Sequence, residues 1–411
     1  MKTKKIIFFL IDGLADPAGP KTPLALARSK NIGQRLNRSF LSWTSPLNKS
    51  SWPKDGYASV SQDANLGLLG YSVKKIHVRR GPIEAIGSEI AYKNSDLAFR
   101  IDFGSVDANL KIIDRRAGRN NWGVKNLVAD LNKMPFLVPF RLYSTYGHRG
   151  VLVFKSDPNK NKFKLSDQIS NADPLSTNKK VLPIKPLVRD KNSIKTADLV
   201  QSFLSVSHDR LDRNPFNQKR LAKKLFKINF LLARGGGVGL PRIKNFFQRF
   251  NFKSGLVVAE NGVIKGTCEL AGFKTFTVPE LKKESDQLEF IFKAVLNNQV
   301  KAEITYVHLK TADEASHDKN PEKKRMFFEK FDLAFGQLIK KLNLDDFIFV
   351  ITGDHITNSK TGQHQFGPVP IIFFNNQIKS NRPRAFSEKE ALRFKQIKND
   401  SIWRYLKNLS S

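Results

Sequence analysis

The chain has 411 residues, 40% of them hydrophobic and 10% aromatic, which excludes a disordered protein and leaves room for two or three domains. Its one cysteine, Cys268, cannot form an intrachain disulfide, and no apolar run is long enough to span a bilayer. We therefore expect a cytoplasmic protein without a membrane partner. Seventy Lys and Arg against 37 Asp and Glu give a net charge of +33, which attracts anions from phosphorylated metabolites to nucleic acids. Because the basic residues are spread along the whole chain without a nucleic-acid-binding motif, we expect a solvated surface and no dedicated nucleic-acid partner.

The first 77 residues begin with a buried strand, residues 4–11, that runs directly into Asp12. A loop, a helix and a second loop lead to another helix that begins near Ser61. A serine at a helix N-terminus is first of all a capping residue, but the same position stabilises an anion such as a phosphoserine. By its position alone, Ser61 is either a cap or a nucleophile.

Residues 78–195 change to short alternating runs, which predict an inserted, smaller α+β domain with an antiparallel sheet. Arginine forks bind phosphate and carboxylate groups in two-point contacts, so a dense arginine cluster in this segment is a candidate site for an anionic substrate. General surface charge is the alternative in so basic a chain. The candidate substrate-binding residues are Arg115, Arg116, Arg119, His148 and Arg149.

From residue 196 onward, predicted strands and helices alternate, a pattern typical of a parallel sheet. We predict strands at 255–259, 273–278, 303–309, 347–351 and 368–374, and helices at 197–208, 220–233, 284–298 and 321–341. The predicted fold class is α/β. Residues 1–77 and 196–411 would form a mostly parallel sheet flanked by helices, into which residues 78–195 are inserted.

Carboxylates and imidazoles follow several of these strands. In an open parallel sheet, ligands bind outside the carboxyl ends of the strands. Oxygen and nitrogen ligands together suit zinc, manganese or a similar divalent ion, and two such ions can clamp a phosphoryl group. The predicted ligands are Asp12, Ser61, Asp354 and His355 for one ion and Asp313, His317 and His364 for the other. Lys310 could neutralise a phosphate oxygen or be an ordinary solvated lysine, and the spacing of Asp313 and His317 alone also fits a surface pair.

The same residues lie in motifs that follow one another along nearly the whole chain. They include Asp12-Gly-Leu-Ala-Asp, Ser61 with Leu-Gly-Tyr71, Asp114-Arg-Arg-Ala-Gly-Arg119, Gly147-His-Arg149, Arg234-Gly-Gly-Gly237, His308-Leu-Lys310, His317-Asp318, Thr352-Gly-Asp-His355 and His364. In these motifs the chain resembles the archaeal-type 2,3-bisphosphoglycerate-independent phosphoglycerate mutases of the alkaline phosphatase superfamily. It departs from the family pattern beside the nucleophile, where Val60, Gln62 and Asp63 stand.

The resemblance implies an alkaline-phosphatase-like fold and an isomerase that interconverts 3-phosphoglycerate and 2-phosphoglycerate in glycolysis. Ser61 would carry the phosphoryl group as a phosphoserine, Lys310 would assist, and the inserted domain would hold the glycerate. Two divalent ions (manganese, zinc, cobalt or magnesium) would be needed, and 2,3-bisphosphoglycerate would not. A metal-dependent phosphatase or phosphotransferase acting on another small metabolite is the first alternative. A catalytically inactive nucleic-acid-binding protein is the second, and only the charge favours it.

Overall fold

A computed structural model of the chain describes residues 3–47, 60–73, 76, 78–157, 163–281, 283–299 and 301–410. The strands are β1 (Lys5–Ile11), β2 (Ser39–Thr44), β3 (Leu97–Val106), β4 (Ile112–Asp114), β5 (Phe140–Ser144), β6 (Arg149–Phe154), β7 (Phe230–Val238), β8 (Gly255–Ala259), β9 (Lys274–Thr277), β10 (Ile304–Leu309), β11 (Phe347–Gly353), β12 (Ile356–Thr357), β13 (His364–Gln365) and β14 (Val369–Phe374). The helices are α1 (Pro23–Leu26), α2 (Lys30–Gly33), α3 (Val60–Leu68), α4 (Arg80–Gly87), α5 (Val124–Leu131), α6 (Lys191–Asp212), α7 (Pro215–Ala222), α8 (Phe246–Phe250), α9 (Gly262–Leu270), α10 (Glu284–Asn298), α11 (Thr311–His317), α12 (Pro321–Lys340), α13 (Glu388–Ala391) and α14 (Asn399–Ser410). None of the helices within these described ranges combines the length and the apolar character that crossing a membrane requires.

The chain divides into two compact units. The first contains Met1–His77, Ile243–Glu260 and Thr267–Ser411, and the second contains Val78–Arg242 and Asn261–Gly266. The boundary predicted at residue 196 differs from this division, because α6, α7 and β7 belong to the second unit. The helix predicted over 220–233 is wrong as well. Helix α7 ends at Ala222, and β7 then pairs antiparallel with β3.

The first unit contains a seven-stranded sheet in the order β2-β14-β11-β1-β10-β8-β9. Strand β1 pairs in parallel with both β10 and β11, while β14 runs antiparallel to β11 and β2 antiparallel to β14. This confirms the α/β class and the mostly parallel sheet. Because β1 lies between two parallel neighbours, the residues that follow β1, β10 and β11 leave the sheet at the same edge.

Both faces of this sheet are covered by aromatic side chains. Neighbouring strand residues point to opposite faces. Phe8 stacks on Trp403 of α14 with ring centroids 5.1 Å apart, and Phe9 stacks on Phe292 of α10 at 5.3 Å. Phe331 of α12 meets Phe9 edge-on at 5.5 Å. Burial on both faces explains why β1 is a continuous apolar run and not an alternating one.

The second unit is built around an antiparallel sheet in the order β4-β3-β6-β5, with β7 pairing along β3. All ten residues of β3 are buried, including Arg100 and Asp102 in its centre. Helices α5 and α6 contribute Leu127, Phe203 and their neighbours to the core that covers this sheet. The α+β character predicted for the inserted segment is therefore present in the second unit.

Candidate active site

The first acid–imidazole group consists of Asp12, Asp354 and His355, which follow the ends of β1 and β11. All three are buried, and their ligand-type atoms lie within 4.8 Å of one another. The backbone N–H of Gly13 donates to Asp354 Oδ1 at 3.0 Å, and His355 Nε2 lies 3.7 Å from Asp12 Oδ1. The register of the sheet places Asp12 beside Asp354, because the residues that precede them, Ile11 and Gly353, are paired between β1 and β11.

The electrostatics of this group call for added positive charge. The pKa of Asp12 is raised to about 6, first by burial and then by the neighbouring carboxylates of Asp354 and Asp313. Burial lowers the pKa of His355, but the surrounding carboxylates, Asp354 first, raise it to about 10. Several negative groups held together away from water favour a bound cation.

The second group consists of Asp313 and His317 on α11 and His364 at the start of β13. Both imidazoles face the one carboxylate, with His317 Nε2 3.3 Å from Asp313 Oδ2 and His364 Nε2 3.4 Å from Asp313 Oδ1. The His317 Nδ1 lies 2.8 Å from the Gly362 carbonyl oxygen, which can only accept a hydrogen bond. In the neutral ring the proton is therefore on Nδ1, and the Nε2 lone pair faces Asp313, which is the orientation of a metal ligand.

The unsatisfied carboxylate oxygens of the first group fit a divalent cation. Among the described residues, Asp12 Oδ1 and Asp354 Oδ2 are buried without a hydrogen-bond partner, whereas His355 Nδ1 has an ion-pair contact with Asp354 Oδ1 at 3.1 Å. Buried polar atoms are almost always paired, and orphans of this kind often mark an ion site. Carboxylate oxygen and imidazole nitrogen are the donors that zinc, manganese and cobalt accept. Each group could thus hold one divalent ion.

The two groups adjoin each other. The rings of His355 and His364 have centroids 4.3 Å apart, although the first residue belongs to one group and the second to the other. Six of the seven predicted ligands thus lie together in space in the two predicted sets: Asp12, Asp354 and His355, and Asp313, His317 and His364. The membership of Ser61 in the first set stays a prediction.

Ser61, the predicted nucleophile, lies in the first turn of α3. The Asn65 side chain fixes this turn, because its Nδ2 donates to the Ser61 carbonyl at 2.7 Å and its Oδ1 accepts from the Tyr306 hydroxyl at 2.9 Å. Tyr306 is buried in β10, whose carboxyl end leads into α11. The helix that carries Ser61 is thereby anchored to a central strand of the sheet, and the role of Ser61 stays a prediction.

Lys310 is not the solvated lysine that its position in the sequence allows. Its Nζ lies 3.3 Å from Glu260 Oε2 and 2.9 Å from Glu314 Oε1. Burial raises the pKa of Glu260, and the Lys310 ammonium acts in the opposite direction. The lysine charge is therefore shared with two carboxylates, and its predicted contact with phosphate is untested.

Two residues beside the groups were not among the predicted ligands, although one of them, His308, stands in the motif His308-Leu-Lys310. His308 is almost fully buried in β10 with Nε2 3.4 Å from Asp12 Oδ2, and Thr357 donates its hydroxyl to Asp313 Oδ1 at 2.7 Å. The signal for His308 was its place near the end of a strand next to β1. Thr357 follows Asp354-His355 by two residues, but only the fold shows that it meets Asp313.

Gly13 is required where the two groups meet. Its φ is +61°, and a Cβ there would lie 2.6 Å from Thr357 Oγ1 and 2.9 Å from Asp313 Oδ1. We expect Gly13→Ala to displace the Asp313 carboxylate and to lower the free energy of unfolding by roughly 1–3 kcal/mol through strain. Metal titration and urea unfolding measure the two effects. Gly19→Ala is the control, because a Cβ there meets only one atom, at 3.8 Å. Equal behaviour of both variants would contradict the prediction.

In the second unit, buried carboxylates organise the predicted arginines. Asp173 forms a two-point ion pair with Arg115 through the Arg115 Nε and Nη2 atoms. The Asp114 carboxylate accepts from the backbone N–H of Arg116 at 2.6 Å and so shapes the turn that carries Arg119. Among the described residues no carboxylate pairs with the Arg116 guanidinium, which leaves it available for an anion.

Asp102 is the centre of this cluster. It lies 2.6 Å from Arg100 Nη2, 3.4 Å from Arg234 Nε and 3.6 Å from His148 Nε2. Burial raises the pKa of Asp102, but the arginines, Arg100 first, hold it well below its usual range. Burial lowers the pKa of His148 to about 3, aided by neighbouring arginines such as Arg149, so this imidazole is neutral at pH 7.

Arg100 of β3 and Arg80 of α4 were not among the predicted substrate-binding residues, and Arg234 of β7 was named only within the motif Arg234-Gly-Gly-Gly237. Burial lowers the pKa of Arg80 to about 9, with the charges of Arg100 and Arg234 contributing. Glu84 pairs with both Arg80 and Arg100. Arginines outnumber carboxylates in this buried cluster, so its charge balance favours an anionic ligand.

Comparison with known proteins gives consistent matches. A family model described as 2,3-bisphosphoglycerate-independent phosphoglycerate mutase matches residues 51–217. The chain is similar to a Methanocaldococcus jannaschii protein named 2,3-bisphosphoglycerate-independent phosphoglycerate mutase 1, with 31% identity over 100% of this chain and 98% of that protein. An Archaeoglobus fulgidus protein of the same name is 32% identical over 94% of this chain and 92% of its own length.

Two solved structures resemble this one. The cofactor-independent phosphoglycerate mutase from Thermoplasma acidophilum has a TM-score of 0.61 and 27% identity, covering 99% of this chain and 100% of that one. The PH0037 protein from Pyrococcus horikoshii has a TM-score of 0.77 at 21% identity, covering 100% of this chain and 99% of that one, which shows a common fold.

Proposed function

We propose that this chain, which belongs to the 2,3-bisphosphoglycerate-independent phosphoglycerate mutase family of isomerases, interconverts 3-phosphoglycerate and 2-phosphoglycerate through a phosphoserine at Ser61. The observation that carries the proposal is the pair of adjoining acid–imidazole groups at the carboxyl edge of the parallel sheet. Two neighbouring groups of this composition suit the transfer of a phosphoryl group between oxygens.

Each group would hold one divalent ion of manganese, zinc, cobalt or magnesium, with Ser61 joining Asp12, Asp354 and His355, and these ions would supply Lewis acidity and screen the charge of the phosphate. The Ser61 hydroxyl loses its proton and its oxygen bonds to phosphorus, while the substrate oxygen leaves phosphorus and is protonated. The reverse transfer to the neighbouring hydroxyl of the same glycerate restores Ser61. No second phosphate donor is needed, which agrees with independence from 2,3-bisphosphoglycerate.

The arginine cluster would bind the carboxylate and hydroxyls of the glycerate. Arg116 and Arg119 flank a tight turn, and the buried Asp173 carboxylate holds Arg115 just before that turn. The buried Asp102 carboxylate holds Arg100 of β3. Rigid guanidinium groups hold a carboxylate in a fixed direction. If the glycerate stays bound between the two transfers, the phosphoserine returns its phosphoryl group to it before water can hydrolyse the phosphoserine.

Trapping the phosphorylated enzyme tests the proposal. After brief exposure to 3-phosphoglycerate, we expect mass spectrometry to find phosphate on Ser61, and Ser61→Ala to lose both this mark and isomerase activity. Ser72→Ala, at an exposed serine, is the control and keeps both. Phosphate on another residue, or no phosphorylated enzyme during active turnover, would contradict the proposed mechanism.

A second assay separates the mutase from a phosphatase built on the same groups. Coupling the product to enolase while measuring free phosphate shows which reaction occurs, since a mutase forms 2-phosphoglycerate with little phosphate release. Stoichiometric phosphate release without 2-phosphoglycerate would assign a hydrolase. Turnover of neither kind would favour a phosphotransferase for another metabolite.

Arg116→Lys tests the role of the arginine cluster. Lysine keeps the charge but cannot form two parallel hydrogen bonds to a carboxylate. A hydrogen bond to a charged group contributes about 1.5–3 kcal/mol, so we expect kcat/KM for isomerisation to fall roughly 10- to 100-fold. Free phosphate per turnover should rise, while metal content stays unchanged. The matched control is Arg141→Lys at an exposed arginine of the same unit. If isomerisation is unchanged in Arg116→Lys, this residue does not hold the substrate.

A further inference from the structure

Two segments of the second unit concentrate positive charge. Residues 115–129 and 213–227 together contain ten Lys and Arg and no Asp or Glu. The whole chain has roughly half as many acidic as basic residues, so an acid-free stretch of this size is a local feature. The fold brings these two segments together, because α7 and the turn before α5 are in contact. A Cβ on Gly123 would lie only 2.8 Å from Cδ1 of Phe216.

A buried arginine joins the two segments. Arg220 of α7 is fully buried, and its guanidinium donates to the carbonyl oxygens of Phe226 at 2.7 Å, of Asn120 at 3.2 Å and of Trp122. These acceptors are all backbone groups, so the positive charge of Arg220 is not cancelled by them. The network holds the loops that carry Trp122 and Phe226 in place.

The result is a surface of aromatic rings interleaved with lysines, which we name the aromatic–lysine surface: Trp122, Phe216, Lys219, Lys223 and Lys224. The Trp122 and Phe216 rings are 5.5 Å apart, and Trp122 is 38% exposed. Lys223 Nζ lies over the Trp122 ring at 5.2 Å, and Lys219 Nζ lies over the Phe216 ring at 5.1 Å. All three lysines are exposed.

A groove of about 570 Å³ adjoins this surface. Its lining includes Leu221, Lys224, Phe226, His208 and Asn229. The His208 Nδ1 is 2.7 Å from the Asn229 carbonyl oxygen, so the ring is held in one orientation. The groove thus offers apolar side chains beside Lys224, and the carboxylates of Asp107 and Asp212 also line it.

We propose that the aromatic–lysine surface binds single-stranded nucleic acid. Rings held rigidly among lysines can stack bases, while the lysines pair with phosphates, and this combination is how sequence-tolerant binders hold single strands. An acid-free patch on a chain of net charge +33 is complementary to a polyanion. This function is independent of the isomerase, since none of the five residues belongs to the acid–imidazole groups or to the arginine cluster.

The test uses the full-length protein and fluorescence anisotropy with labelled oligouridylate and oligothymidylate of about 12 nucleotides, within the range of known site sizes. Salt is varied from about 50 to 200 mM to obtain the slope of log affinity against log salt. The triple variant Lys219→Ala/Lys223→Ala/Lys224→Ala should reduce the slope by about 2, because each lost phosphate contact removes about 0.7. The matched control is Lys330→Ala/Lys340→Ala/Lys341→Ala, at exposed lysines of the first unit.

Trp122→Ala tests stacking. We expect roughly tenfold or greater loss of affinity, the effect of removing one stacked base, and recovery of most of it in Trp122→Tyr. Isomerase activity should be unchanged in every variant. Preference for one oligonucleotide identifies RNA or DNA as the ligand.

Several outcomes would overturn the proposal. Equal losses in the two triple variants would mean that the overall charge binds the strand, and an unchanged Trp122→Ala would exclude stacking. Binding to vesicles of anionic lipid but to neither oligonucleotide would assign the surface to a membrane instead. Failure to bind either oligonucleotide at the lowest salt would refute it outright.

Discussion

Removing one carboxylate from either acid–imidazole group should cost the protein one bound ion and nearly all of its isomerase activity. We expect about two ions per chain in the unaltered protein and about one in Asp313→Ala or Asp354→Ala, because the two ligand sets share no residue. A bound ion supplies several kcal/mol of charge stabilisation, so kcat should fall roughly 10³-fold or more.

Metal analysis after equilibrium dialysis gives the number of ions, and the enolase-coupled assay gives the activity. Asp286→Ala, at an exposed carboxylate on α10, is the control and should retain two ions. The combined variant Asp313→Ala/Asp354→Ala should hold none. If each single variant kept two ions and full activity, the assignment of both groups would be wrong.

The sheet edge was predictable because its signals are local. Each of β1, β10 and β11 is an apolar run of six or seven residues followed within a few positions by a carboxylate, and parallel pairing brings such ends together. Predicting that these six acidic and imidazole residues lie near one another required no knowledge of side-chain packing. Ser61 differs, since a helix start has the same appearance whether its serine caps the helix or reacts.

The second unit was harder to predict because non-local pairing shapes it. Residues 220–233 contain Leu, Ala and Lys, which favour a helix, yet the segment from Phe230 onward is a strand through its pairing with β3. Arg100 and Asp102 alternate with apolar residues in β3, a pattern that normally places polar side chains in solvent. Glu84 of α4 lies on that face instead and turns it into a buried ion cluster.

Lys324 was missed for a related reason. It stands in the run Lys323-Lys-Arg325, whose composition indicates a solvated surface. Its spacing from Phe328 and Phe331 places it on the buried face of α12, and this periodicity was the signal available in the sequence. The partner that makes its burial tolerable, Asp16, lies 308 positions away in the chain.

Lys324 fastens together the loops that carry both groups. Its Nζ donates to Asp16 Oδ2 at 2.7 Å, to the Thr357 carbonyl at 3.0 Å and to the Ala15 carbonyl at 3.3 Å. Asp16 in turn accepts from the backbone N–H of Ser359 at 2.7 Å. The segment after Asp12 and the segment after His355 therefore share one buried ammonium group, and Thr357 extends the connection to Asp313 through its hydroxyl.

Replacing Lys324 by methionine should lower the free energy of unfolding by about 3–5 kcal/mol, the usual cost of leaving one member of a buried ion pair without its partner. Because the side chain is fully buried, methionine fills its volume while the Asp16 carboxylate loses its cation. Urea unfolding measures the loss. Lys323→Met, at the partly exposed neighbour paired with Glu284, is the control and should cost less than about 1 kcal/mol. The double variant Lys324→Met/Asp16→Asn removes the buried carboxylate charge as well and should recover part of the lost stability. A Lys324→Met variant as stable as the control would contradict the prediction and show that Asp16 finds another partner.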